Sequence, residues 1–375
     1  MNIIKLKDCA NLKTGKLNSN AAVIGGKYPF FTCDPETAKI DTYAFDEESI
    51  LLAGNNASGK FNIKYYVGKF NAYQRTYIIN SSIATLQTKY LYYYLSTKLP
   101  EFTTLSSGSA TKFLTKTILD DFDIWVPSAE EQSHIVDILG SIDDKIENNE
   151  KIIDALLKKL QLEYTKRFSF KEDKTVSLSH FVSTTIGGDW GKETAEKSFN
   201  EKVVCIRGAD IPEIASGRNG TPPIRYILQK NRIAKELTDF EIIVEISGGS
   251  PTQSTGRCAL ITFDLIAQYD CPLICTNFCR ALRCIDKKSA AYVYSAFSKM
   301  YDDNVFFNYE NGTTGIKNLD LQSILDKELV YCPSDTELSD FYDFTNNIYS
   351  HISYLKNENN KLNELKQLYL KKFFG

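Results

Sequence analysis

Gly54-Asn55-Asn56-Ala57-Ser58-Gly59-Lys60 has the G-x4-G-K spacing of a loop that wraps backbone N–H groups around a phosphate. The next residue is Phe61, where that chemistry needs a Ser or Thr hydroxyl on magnesium. Phe61, Ile63, Tyr65 and Val67 then alternate as a strand does, so no helix N-terminus follows to hold phosphate. A P-loop nucleotide-binding enzyme is accordingly the weakest reading. Cys271, Cys275, Cys279 and Cys284 run C-x3-C-x3-C-x4-C, which fits neither zinc-ribbon pairs nor common iron–sulfur spacings. These are expected to be buried structural thiols, and no metal site is assigned. Thr221-Pro222-Pro223-Ile224 lacks the amide and the aromatic ring of a methyltransferase loop. Only His134, His180 and His351 are available for histidine chemistry, two of them in or beside long helices. No catalytic residue is assigned.

The chain has 375 residues, 43% hydrophobic and 12% aromatic, enough for two domains with their own cores. It shows no apolar run of membrane-spanning length and no signal-peptide core after Met1, so a soluble, cytoplasmic protein is expected. Nine cysteines without a secretion signal argue against a disulfide framework. The net charge of −3 is unevenly spread. Residues 1–119 hold 14 basic against 8 acidic side chains, and residues 120–176 hold 8 against 14. Residues 177–325 are nearly balanced but contain seven arginines, whose planar forks suit phosphates and guanine edges.

The elements that must position any site are set by a repeat. Residues 113–168 recur without a gap as residues 319–374, at a constant offset of 206. Ile118 falls on Ile324, Ser128 on Ser334, Glu131 on Glu337, Ile142 on Ile348, Ile146 on Ile352 and Leu156 on Leu362. Each copy begins with a capping box, Ser128 with Glu131 and Ser334 with Glu337, and then predicts a helix of roughly 58 Å at ~1.5 Å per residue. Ile135, Leu139, Ile142, Ile146, Asn149, Ile153, Leu156 and Leu160 alternate spacings of four and three, the seam of a coiled coil. In the second copy the same period is read through Phe341, Phe344, Ile348, His351, Leu355, Glu358, Leu362, Leu365 and Tyr369. Each helix has one apolar stripe and needs a partner; the other copy, antiparallel, supplies it.

Between the helices the two halves repeat more loosely. Ile4-Lys5-Leu6 resembles Val176-Ser177-Leu178, with turn glycines Gly15 and Gly187 nine residues later. Strand-like runs follow, then a short tyrosine-rich helix in which Tyr90 and Tyr92 align with Tyr292 and Tyr294, read as core packing. The expected fold is α+β: two strand-rich domains related by a pseudo-twofold axis and separated by two long antiparallel coiled-coil helices. The boundaries are 1–126 and 170–332 for the domains, with 127–169 and 333–375 for the helices.

On these features the chain resembles the specificity subunits of type I restriction–modification systems. The resemblance rests on Pro127-Ser128-Ala129-Glu130-Glu131-Gln132, on the Ile135 to Asp143 run, and on the glycine/threonine loop before each helix. The second copy departs from the pattern, with Leu338 in place of the glutamine. The resemblance implies two target-recognition domains, each reading half of a split double-stranded DNA target, with the helices fixing their separation. It also implies docking of two modification (methyltransferase) subunits and, where present, restriction subunits. The chain itself would bind no cofactor; S-adenosylmethionine would belong to the methyltransferase partner, and ATP and Mg to the restriction partner. The alternative is a coiled-coil scaffold with protein-binding globular halves.

Base edges are read by side chains with paired donors and acceptors, held on loops. In the first domain the candidates are Asn55, Asn56, Ser58, Lys60, Gln74, Arg75, Ser109, Thr111 and Lys112. In the second they are Arg207, Arg218, Asn219, Arg225, Ser250, Thr252, Gln253, Ser254, Arg257, Thr313, Thr314 and Lys317. Helix pairing is assigned to the first seam, Ile135 to Leu160, and to Ile348, Leu355, Leu362 and Leu365.

Overall fold

The computed structural model describes residues 2–56, 60–108, 111–171, 174–250, 253–312 and 316–375. Two helices of 40 residues dominate it, Ala129–Phe168 and Asp335–Phe374, and they start and stop at repeat-equivalent positions. The caps explain the starts. Glu131 N donates to Ser128 Oγ at 3.2 Å, and Glu337 N donates to Ser334 Oγ at 3.3 Å while Ser334 N returns a bond to Glu337 Oε2 at 2.9 Å.

The chain forms two compact units, residues 1–145 with 362–375, and residues 146–361, so both long helices are shared between them. In the first unit the helices run antiparallel: Lys366 Nζ donates to Asp143 Oδ1 at 2.5 Å, and Leu370 shares a core with Ile135 and Leu139. In the second unit Ile153, Leu160 and Phe168 share a core with Phe341, Ile348, Ile352 and Leu355. Ile142 is buried; Ile146, Leu156 and Leu362 are half-buried.

The second seam differs from its sequence reading. Phe341, Thr345, Ile348, Ile352 and Leu355 are buried, whereas His351 and Leu365 are exposed. These buried positions are the ones that the offset of 206 assigns to Ile135, Leu139, Ile142, Ile146 and Asn149. Burying Ile352 removes apolar surface from water, while burying His351 would desolvate an imidazole. Leu365 accordingly lies off the seam, and the adjacent Lys366 takes that place by reaching Asp143.

Each unit builds a sheet above its share of the helices. In the first, six strands run in the order Ala10–Thr14, Thr76–Ser81, Phe45–Ala53, Ile63–Ala72, Tyr28–Phe31 and Ala38–Ile40. In the second, four strands run Val182–Gly187, Cys279–Cys284, Ile242–Glu245 and Cys258–Leu260, beside a three-stranded sheet around Phe199–Ile206.

The tyrosine-rich helices Thr88–Thr97 and Lys287–Asp302 lie in the cores, as their alignment suggested. Tyr90 OH donates to Trp125 O at 3.0 Å, and Tyr292 OH donates to the repeat-equivalent Tyr331 O at 2.6 Å. Phe374 lies 5.7 Å from the Tyr90 ring and Phe168 lies 5.1 Å from the Tyr292 ring, so both helix ends serve as core packing. Gln132, fully buried, ties the first long helix to the short one: its Oε1 accepts from Gln87 N and its Nε2 donates to Thr85 O. Leu338 replaces that polar anchor with apolar packing in the second unit.

Candidate nucleic-acid interface

In the first unit three sequence-distant loops meet at one edge of the sheet. Gly54 N donates to Arg75 O at 2.8 Å, and Gly54 O accepts from Leu114 N at 2.9 Å. Asn55 and Asn56 pair with Phe113 and Lys112 as short antiparallel strands. Residues 54–56, 74–75 and 111–114 are thereby knitted together, bringing together Asn55, Asn56, Gln74, Arg75, Thr111 and Lys112. Arg75 is exposed, with its guanidinium carbon 5.2 Å from the Phe113 ring centroid. Gln74 Nε2 donates to Asn18 Oδ1 at 2.9 Å, and Asn55 Oδ1 accepts from Cys33 Sγ at 3.0 Å. Lys60 is exposed. A strand, Ile63–Ala72, follows where a phosphate loop would need a helix, which removes the nucleotide-binding reading.

The second unit repeats this frame bond for bond. Ile246 N donates to Phe278 O at 2.8 Å, and Ile246 O accepts from Leu319 N at 2.9 Å. Ser247 and Gly248 pair with Asn318 and Lys317. The turn at residues 276–278 thus occupies the place of the turn at 73–75. A close approach confirms the match: a Cβ on Gly15 would stand 1.9 Å from Ala72 O, and one on Gly188 would stand 1.9 Å from Thr276 O. Gly188, not Gly187, is therefore the counterpart of Gly15. The register shift between Val182 and Thr184 inserts one residue and moves the glycine along by one.

The arginines proposed from sequence are largely committed to the protein's own carboxylates. Arg257 makes two bonds to the buried Glu245, from Nε at 2.9 Å and Nη2 at 2.6 Å, and this pairing raises the guanidinium pKa. Arg207 grips Asp210 in the same two-armed manner, at 2.9 Å from each nitrogen. Arg218 is held by Glu213. Arg225 is 6% exposed, its guanidinium carbon 4.1 Å from the Trp190 ring centroid and its Nη1 3.2 Å from Glu193. Its burial and these partners make it part of the packing of the second unit. Asn219 donates to Gln268.

In the loop after Gly248, Ser250 N donates to Gln253 O at 2.8 Å; Gln253 is exposed, with Nε2 3.3 Å from Tyr301 OH. Ser254 is buried, so it lies behind the surface that sequence assigned to it. Lys317 Nζ donates to Glu310 Oε2 at 2.7 Å. Burial opposes ionisation of Glu310, but bonds from Lys317 and Thr255 outweigh it and hold the carboxyl below its usual range. Ser58, Ser109, Thr252, Thr313 and Thr314 lie outside the described residues.

Sequence reasoning missed Asn277, Phe278 and Arg280. All three are exposed, and they flank the equivalent of a turn that sequence did single out in the first half. The signal available was the run of buried cysteines on either side. Cys275 and Cys279 are buried in the sheet, and burial pushes the Cys279 thiol up to about 12. Among the described residues no helix is long and apolar enough to cross a membrane.

Residues 1–158 match the type I restriction modification DNA specificity domain family. The chain is 37% identical over 215 residues to the EcoDI type I restriction enzyme specificity subunit of Escherichia coli, covering 56% of this chain and 45% of that protein. It is 28% identical over 188 residues to the MpnII specificity subunit of Mycoplasma pneumoniae, covering 47% of this chain and 55% of that protein. The chain therefore spans about half the length of the curated relatives it matches. The crystal structure of a type I restriction–modification S subunit from M. genitalium superposes with a TM-score of 0.53 at 16% identity, covering 100% of this chain and 96% of that one. That likeness shows the mixed helix-and-strand fold with its two long helices. With a specificity domain over residues 1–158, this fold and these relatives, the chain is similar to the specificity subunits of type I restriction–modification systems.

Proposed function

We propose that this chain is the non-catalytic, sequence-reading subunit of a type I restriction–modification complex. Each unit reads one half of a split target in double-stranded DNA, and the paired helices hold the halves of the target at a fixed spacing. The helices also dock two methyltransferase subunits, which carry S-adenosylmethionine. A restriction subunit, where present, brings ATP and Mg. The work is cytoplasmic, where the DNA is.

The observation that carries this reading is the shared frame with unlike tips. The same backbone bonds, Gly54 to Arg75 and Ile246 to Phe278, hold loops whose exposed side chains differ. A common scaffold with two different sets of edges suits a target whose two halves differ. Methylation mapping of cells that express the chain with its cognate modification subunit tests it. A two-part methylated motif with a fixed gap is expected; no such motif would overturn the reading.

A further inference from the structure

Six of the seven arginines in residues 177–325 are ion-paired. Arg207, Arg218, Arg225, Arg232, Arg257 and Arg283 meet Asp210, Glu213, Glu193, Glu201, Glu245 and Glu241 respectively. The Arg280 guanidinium alone among them makes no ion pair or hydrogen bond among the described residues. It is exposed on the strand Cys279–Cys284, where its cross-strand neighbour on one side is Gly187. With no side chain on Gly187, nothing there competes for the guanidinium; a Cβ at that glycine would stand 3.9 Å from Arg280 Nη1.

The backbone beneath Arg280 is fixed. Thr276 N donates to Ile206 O at 2.9 Å, Cys279 N to Thr276 O at 2.9 Å, and Phe278 O accepts from both Ile246 N and Ser247 N. Above that frame Phe278 is 57% exposed and Asn277 is exposed. An unpaired arginine, an amide and an open aromatic ring on a rigid turn bring together a bidentate guanine reader, an adenine reader and an apolar face. A rigid mount matters because the reader then loses little freedom on binding.

We propose that the turn carrying Asn277, Phe278 and Arg280 is the base-reading edge of the second unit, with Arg280 as the specificity-determining residue. This rests on the DNA-reading function above. In the first unit the positions of Asn277 and Phe278 are held by Gln74 and Arg75, and that of Arg280 by Tyr77, whose OH donates to Leu114 O, so the two units share a mount and differ in their tips.

The test uses the assembled complex with its modification subunits, methylating a library of duplexes at several salt concentrations. Arg280→Ala should lower discrimination at one base pair in one half of the target by about 5- to 150-fold. The other half should be read as before, and Arg280→Lys should relax the same position. Because Arg280 has no partner among the described residues, thermal stability should not change, which separates lost reading from lost folding. Unchanged discrimination in Arg280→Ala would overturn the assignment. So would uniform weakening on all sequences with a smaller salt slope, the mark of a phosphate contact. If the unsubstituted complex methylates no split motif, the DNA-reading function itself falls, and the assignment with it.

Discussion

Asn149 Nδ2 donates to Glu358 Oε2 at 2.7 Å and to Asn359 Oδ1 at 2.8 Å, placing a buried polar layer inside the helix seam. Asn149 is fully buried. A single buried asparagine in such a seam costs stability and fixes register, since sliding the helices would leave its amide unmatched. Asn149→Ala should lower unfolding free energy by about 1–3 kcal/mol, read from denaturant midpoints. A change below about 0.5 kcal/mol would show that the layer contributes little.

Arg257 is anchored by Glu245. Glu245 is buried beneath it, so Arg257→Ala leaves a carboxylate in the interior without its two donors. The expected loss is about 3 kcal/mol, and replacing Arg257 and Glu245 together by methionine should recover much of it. An Arg257→Ala protein of unaltered stability that relaxes one target position would contradict this and restore the direct-reading role.

Lys356 sits on the second long helix, half-buried near Asp264, and burial lowers its pKa to about 8. Between pH about 8 and the ordinary value of 10.5 the unfolded chain therefore binds more protons than the folded one. Stability should rise with pH across that window, and Lys356→Met should flatten the rise. Thermal melts at pH 7.5 and about 9.5, with and without the substitution, check this. A fall in stability over the same interval would refute it.

Glu337 gives the same direction in the acid range. Its bond to Lys171 and the capping bonds to Ser334 lower its pKa from 4.5 to about 2. The stabilisation is complete above pH about 4.5 and is lost as pH falls toward about 2. Ser334→Ala should cost about 1 kcal/mol at neutral pH and make acid unfolding begin at higher pH. An unchanged acid transition would place the cap outside the cooperative unit.

The long helices were legible because their signals are local: a capping box, a four-three apolar period and a gapless repeat. The second seam was misplaced because His351 and Leu365 satisfy the same period one residue away from the buried line. Carrying Ile146 across the offset of 206 gives Ile352, which the structure buries. The turn at residues 276–278 was invisible for a different reason. Its equivalence to residues 73–75 lives in backbone bonds, at Gly54 and Ile246, and a one-residue bulge near Thr184 breaks the sequence alignment. The arginine count likewise suggested forks free for phosphates and guanine edges, but pairing depends on carboxylates 3 to 42 residues away, from Asp210 beside Arg207 to Glu241 beside Arg283.

The division of labour between the units is tested most directly by exchanging residues 1–112 for the corresponding domain of a relative and mapping the methylated motif of the hybrid complex. One half of the motif should change to that of the donor while the gap and the other half stay as they were. A hybrid in which both halves change, or neither does, would contradict two independent readers on one frame.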